Sequence, residues 1–99
     1  MNVLIHNEQQ TLTAFSGSAS GNTINLTGIL RQLLVNPTTS TTTYDISITN
    51  DQSVVILERL TETGTLNEEF ALPLKGIDTV SLVNASVDEA FTVQLVMQE

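Results

Sequence analysis

An antiparallel β-sandwich, all-β and built from six to eight short strands in jelly-roll-like or Greek-key order, is the fold predicted for this 99-residue chain. Three observations predict it. Side chains alternate with a period of two: Tyr44, Ile46 and Ile48 against Asp45, Ser47 and Thr49, and Phe91, Val93, Leu95 and Met97 against Thr92, Gln94, Val96 and Gln98. That is the period of a half-buried strand. Short polar clusters interrupt the alternating runs at sandwich-like spacing. The runs themselves carry almost no reactive side chains, which points to a surface that binds and away from a catalytic site.

Residues 1–22 read as an N-terminal arm or edge strand with a flexible Ser/Gly connection, and residues 23–99 as the sandwich core. Val3, Leu4 and Ile5 form a short apolar segment without a basic leader. Nothing there is long enough for export or a membrane span, so the expected site of synthesis and release is the cytoplasm. Leu12, Ala14 and Phe15 fit a short strand, and 16–22 is small, polar and tolerant of positive φ. Ile24 and Leu26 alternate with Thr23, Asn25 and Thr27, after which the parity of the apolar residues changes. A bulge at Gly28 accounts for this, followed by a strand through Ile29, Leu30, Leu33, Leu34 and Val35. The rival is one helical turn over 29–34, whose i, i+1, i+4, i+5 spacing also fits. The early stop at Asn36-Pro37 and the β character of all later elements favour the strand.

The Thr/Ser tract 37–43 offers no core anchor and reads either as a crossing between sheets or as an exposed loop tip. A strand at 44–49, a polar turn at 50–53 and a returning strand at 54–60 make a hairpin. Gly64 marks the next turn, within 61–65. Phe70, Leu72 and Leu74 alternate up to a break at 73–76, Val80 and Leu82 lie in the following strand, and 84–88 turns the chain into a last strand at 90–98. No internal repeat is evident.

Composition bounds the function. Three basic residues, Arg31, Arg59 and Lys75, stand against eleven acids, a formal charge of −8 that repels phosphate backbones and anionic lipid. Neither nucleic acid nor a membrane is an expected partner. A chain of this length buries one core, and subunit association is an expected source of further stability. With no cysteine there is no disulfide or thiolate metal site, so packing and association must supply what staples would.

Candidate chemistry is sparse. His6 is the single imidazole, and any serine-histidine or metal-histidine arrangement would have to be built on it; a structural role is the plainer reading. No serine has a nucleophile-elbow setting and no Gly-rich phosphate loop precedes a helix. Glu68-Glu69 and Asp88-Glu89 are paired carboxylates, but neighbours on a strand point to opposite faces, and acids at strand entries are ordinarily solvated. Asp45, Asp51, Asp78 and Asp88 are loop oxygen donors for calcium without an EF-hand spacing. Asn25-Leu26-Thr27 and Asn84-Ala85-Ser86 match a glycosylation pattern that lacks an export signal to give it meaning. Arg31 and Arg59, rare cations in an acidic chain, are expected either to pair with carboxylates or an interface, or to lie on a solvated strand edge. The expectation is therefore no catalytic residue, no metal and no cofactor.

The stretch from Pro37-Thr38-Thr39 through Tyr44-Asp45-Ile46-Ser47-Ile48-Thr49-Asn50-Asp51 resembles a pattern of small virion structural proteins of tailed bacteriophages. Thr65-Leu66-Asn67, Leu72-Pro73-Leu74-Lys75-Gly76 and Val80-Ser81-Leu82-Val83-Asn84-Ala85 resemble its later part, so the likeness covers the C-terminal two thirds. The first 22 residues carry no matching signature, and Val54-Val55-Ile56-Leu57 follows the acidic turn more directly than the pattern does. The resemblance implies a capsid decoration or cement protein in the virion, made in the host cytoplasm and often trimeric, whose partner is the major capsid protein. On that reading Val3, Leu4 and Ile5 pair with a neighbouring subunit, and Arg31 and Arg59 are further subunit or capsid contacts. The alternative is a tail, fibre or head-fibre component whose Thr/Ser loops bind a host-surface glycan. Against it stands the scarcity of aromatics: Phe15, Tyr44, Phe70 and Phe91, three of which read as core.

Overall fold

A computed structural model describes residues 5–23 and 26–98; Val3, Leu4 and Ile24 lie outside the described residues. The described residues form eight strands: β1 (Ile5–Thr13), β2 (Ala19–Asn22), β3 (Leu26–Pro37), β4 (Thr43–Thr49), β5 (Val55–Thr63), β6 (Leu66–Gly76), β7 (Thr79–Val83) and β8 (Ala90–Gln98). They make two four-stranded antiparallel sheets, β1-β8-β3-β6 and β2-β7-β4-β5, packed as a sandwich.

Period-two burial puts the core between the sheets. In β8 Phe91, Val93, Leu95 and Met97 are buried, and in β4 Tyr44, Ile46 and Ile48, each with an intervening polar or small residue turned outward. Tyr44 and Phe91 meet edge-on across the two sheets, with ring centroids 5.3 Å apart at 71°. Phe70 packs on the core margin, whereas Phe15 is 81 % exposed at the β1–β2 turn.

Three local expectations are corrected. The parity change in β3 does not come from Gly28, which stays in register opposite Leu74; the register with both β6 and β8 shifts between Leu30 and Gln32. Against β8 Arg31 is the extra residue, and this bulge lets Leu30, Leu33 and Val35 all face inward; against β6 the extra residue lies in β6, where Phe70 and Ala71 stand opposite Arg31. The strand expected over 29–35 forms within β3, in place of the rival helical turn. Pro73 does not break β6, because β6 is the outer strand of its sheet and needs no ladder donor on its free side. The tract 37–43 crosses from one sheet to the other and does hold an anchor, Thr42, at 1 % exposure.

Connections cluster at two ends. One end gathers 14–18, 38–42, 64–65 and 84–89, tied by Ala85 N to Gly17 O, Ser86 N to Thr43 O and Gly64 N to Thr42 O. The other gathers Thr23, 50–54 and 77–78. At the lateral margins, Gln10 Nε2 donates to Asn22 O at 2.9 Å, joining β1 to β2, and Arg59 joins β5 to β6 through Glu68.

Candidate functional site

The acids the sequence offers as chemical candidates are for the most part spent on the fold. Asp88 caps the β1–β2 turn, its two oxygens accepting from Ser16 N at 3.0 Å and Gly17 N at 2.9 Å. Ser16 and Gly17 both have positive φ, so their amides point together at one carboxylate. Glu89 Oε2 accepts from Thr39 N at 2.7 Å and from Thr42 Oγ1 at 3.3 Å, and these donors hold the carboxyl below the usual range. Asp45 accepts from Thr61 N at 2.7 Å, at a bulge where Thr61 has positive φ, and from Asn84 Nδ2 at 2.8 Å; its pKa is likewise lowered, chiefly by the Thr61 amide.

The expected contact residues are not brought together. Ile5 stands 66 % exposed at the head of β1, opposite Gln98. Arg31 is exposed at the β3 bulge beside a shallow groove with Gln32, Glu69, Phe70 and Val96. Arg59 lies in the other sheet, committed to Glu68 with its guanidinium 5.2 Å from the Phe70 ring centroid. Of the pair Glu68-Glu69, the first turns toward Arg59 and the second lies exposed on the outside.

His6, Glu8, Gln10 and Leu12 share the inner side of β1, opposite Met97, Leu95, Val93 and Phe91. His6 is half-buried, and the polar row thins the apolar interior toward the β1 margin. Gly21 lies against this row, and a Cβ there would displace the flexible end of the Gln10 side chain and press on Leu12.

One place in the described structure concentrates unengaged charge. At the end opposite Asp88, Asn50, Asp51, Gln52, Ile56, Pro73, Lys75, Gly76 and Asp78 line a cleft of about 340 Å³. Asp78 is wholly buried, and neither carboxylate oxygen has a hydrogen-bond partner. Burial raises its pKa, and the nearby Asp51 adds to the shift. Its backbone is fixed by a reciprocal pair with Thr23: Thr23 N donates to Asp78 O at 2.8 Å, and Asp78 N donates to Thr23 Oγ1 at 2.9 Å. Of the four aspartates expected in loops, Asp45 lies within β4, because its neighbours Tyr44 and Ile46 are strand core, and Asp51 and Asp78 are the two that line one cleft. No group of three or more His, Asp or Glu side chains fit to hold a metal occurs among the described residues.

No protein-family model matches the chain, and no curated protein matches its sequence.

Proposed function

We propose that this protein is a non-enzymatic virion structural protein, a capsid decoration or cement protein that binds the outer surface of a phage head by strand pairing at β1. The strand order β1-β8-β3-β6 facing β2-β7-β4-β5 is that of a jelly roll, an architecture used in viral capsid domains as well as in lectins and cupins. Fold alone does not carry the reading; the edges do.

The observation that carries it is the contrast among the four outer strands. A free edge invites pairing with another chain, and proteins blunt it by shortness, bulges, proline or charge. β2 has four residues, β5 has two register shifts against β4, and β6 carries Pro73 and Lys75. β1 has nine residues in unbroken register with β8 and no proline, and its ionisable side chains, His6 and Glu8, lie on the inner side. Its outward side is Asn7, Gln9, Thr11 and Thr13, headed by exposed Ile5. Such an edge accepts a strand from the major capsid protein or from a second copy, in a trimer by preference, with Val3, Leu4 and Ile5 extending the contact. Many copies, each bound modestly, then stabilise a shell by avidity.

Electron cryo-microscopy of the assembled particle tests this. Density repeated over the shell lattice is expected. Density confined to the tail or one vertex favours adhesion or a fibre, and absence from purified particles removes the structural role. Deleting residues 1–7 should lower occupancy while the domain still melts cooperatively; unchanged occupancy would count against β1.

A second reading, glycan binding by a tail or fibre component, draws on Phe15, which stands exposed at the same end as the Thr/Ser crossing 38–42 and offers one ring for stacking. A glycan array without binding would remove it.

A further inference from the structure

We propose that the cleft formed by Asp51 and Asp78 is a calcium site that clips together the ends of β4, β6 and β7. It is independent of the strand-pairing reading.

An isolated carboxylate taken out of water is costly unless a proton, a donor or a cation compensates it. Asp78 meets no donor: both oxygens are buried and unpartnered, although its own backbone N–H and C=O are fully satisfied by Thr23. The backbone is therefore anchored, and Asp78, with both carboxylate oxygens buried, is among the residues that line the cleft, so an ion reaches them by a small swing of the side chain toward it. A second carboxylate shares that cleft. Asp51 Oδ2 lies 3.3 Å from the point a Cβ would occupy on Gly76, two residues before Asp78. Gly76 has φ +77°, so the chain turns sharply between the two acids and glycine leaves room for Asp51 to lie over it.

Calcium accepts six to eight oxygens, from carboxylates, amide and backbone carbonyls and water, in flexible geometry. Asp51 and Asp78 supply the charge, Gln52 lines the same space with an amide carbonyl to offer, and water completes the shell. Asn50 Oδ1 already accepts from Gln52 N and Val54 N at 2.9 and 3.0 Å, which fixes the 50–54 turn that presents Asp51. The cleft is far larger than the roughly 30 Å³ of one water, so an ion can keep part of its hydration shell. Lys75, on the rim, is exposed and makes no ion pair among the described residues, so the cleft charge is not already neutralised by protein. Two acids and an open rim make a weak site, in the affinity range of extracellular calcium modules, on the order of 0.1 to 1 mM. Magnesium, which demands compact octahedral geometry and dehydrates reluctantly, fits it less well.

The test is thermal unfolding of the 99-residue chain, followed by circular dichroism in CaCl₂, MgCl₂ or NaCl at equal ionic strength. With free calcium about 100-fold above its dissociation constant, Tm should rise by about 10 °C or more. The rise should be smaller in MgCl₂. Asp78→Asn should abolish the calcium response. Asp51→Asn, on the exposed rim where folding is not at stake, should weaken it at least about tenfold in the concentration required, as expected when ligand charge is removed. No rise in the native protein, or an equal rise in both variants, would overturn the proposal.

Discussion

The Arg59 guanidinium closes the β5–β6 margin on the Glu68 carboxylate through two parallel bonds, Nε to Oε1 at 2.9 Å and Nη2 to Oε2 at 2.5 Å. A third donor, Nη1, reaches Glu58 O at 2.9 Å, and the plane lies over Phe70. The fork geometry is what arginine provides and lysine does not. Both side chains are about one third exposed, at 34 % and 35 %, so water screens the pair strongly. A double-mutant cycle of Arg59→Ala and Glu68→Ala, read by urea unfolding, should give a coupling of only about 1 kcal/mol. Arg59→Lys should lose most of it, whereas a coupling above about 3 kcal/mol would require a buried pair.

Tyr44 puts its hydroxyl inside the sandwich, donating to Gly64 O at 2.7 Å. Tyr44→Phe should cost about 1 to 2 kcal/mol, because it leaves a buried carbonyl without its donor while keeping the ring contact with Phe91. The phenol pKa is pushed up to about 12 by burial and by Glu62. Since the folded value exceeds the ordinary 10.0, the stability it carries is whole below pH 10 and declines as pH rises toward 12. Alkaline unfolding should begin later in Tyr44→Phe relative to its own neutral stability.

Gly64→Ala should destabilise by about 2 kcal/mol or more, through strained positive φ and collision together. Gly64 sits at φ +68°, and a Cβ would approach Ser40 O to 2.5 Å. Two segments would have to move apart: the β5–β6 turn and the 38–42 crossing, which Gly64 N ties through Thr42 O. Thermal melts of Gly64→Ala against Gly17→Ala make the check, since Gly17 has a similar φ of +82° but only ordinary contacts. The two should differ, with Gly64 the worse.

Acid pH should unfold the domain through one set of carboxylates and relieve another. Asp45, Glu68 and Glu89 have lowered pKa values, from the Thr61 amide, the Arg59 guanidinium and the Thr39 amide respectively. Their contribution is present above the ordinary carboxylate pKa and is lost as pH falls through the lowered folded values. Asp78 is raised, so in calcium-free buffer it subtracts stability as pH rises from the ordinary carboxylate value toward its raised folded value. A Tm profile against pH should therefore fall on the acid side in the native chain, and Asp78→Asn should remove the decline that begins as pH rises above the ordinary carboxylate value, while the loss below it through Asp45, Glu68 and Glu89 remains. An unchanged profile in Asp78→Asn would remove this assignment.

Strands with one buried face were legible because their periodicity is local: 44–49 emerges as part of β4 and 90–98 coincides with β8. The same local cues misplaced the bulge. Gly28 is conformationally the easiest residue in that stretch, but a bulge is set by what the neighbouring strands present, and it falls at Arg31, which is extra against β8 and is itself faced by two residues of β6. Pro73 read as a break because nothing in the sequence says that β6 is an outer strand.

The site was less legible than the fold. Asp88 and Glu89 are partnered by backbone amides far away in sequence, at Ser16, Gly17 and Thr39, and no spacing announces such pairings. Asp51 and Asp78 stand out among loop acids only once β6 and β7 are folded around them. Arg59 resolved into a carboxylate pair and Arg31 into an exposed bulge, although the chain presents both simply as isolated cations.

The pairing of β1 with β8 also sets a clock. The first strand of the chain finds its ladder only in the last, and β3 lies between β6 and β8, so the β1-β8-β3-β6 sheet stays incomplete until β8 has been synthesised. Such distant contacts demand a large loop-closure entropy before any bond rewards it, which makes folding slow for a chain of this size. In that interval β1 is an unblunted strand with both edges open, and newly made copies crowded on one message are exposed to pairing with each other before each has closed on itself.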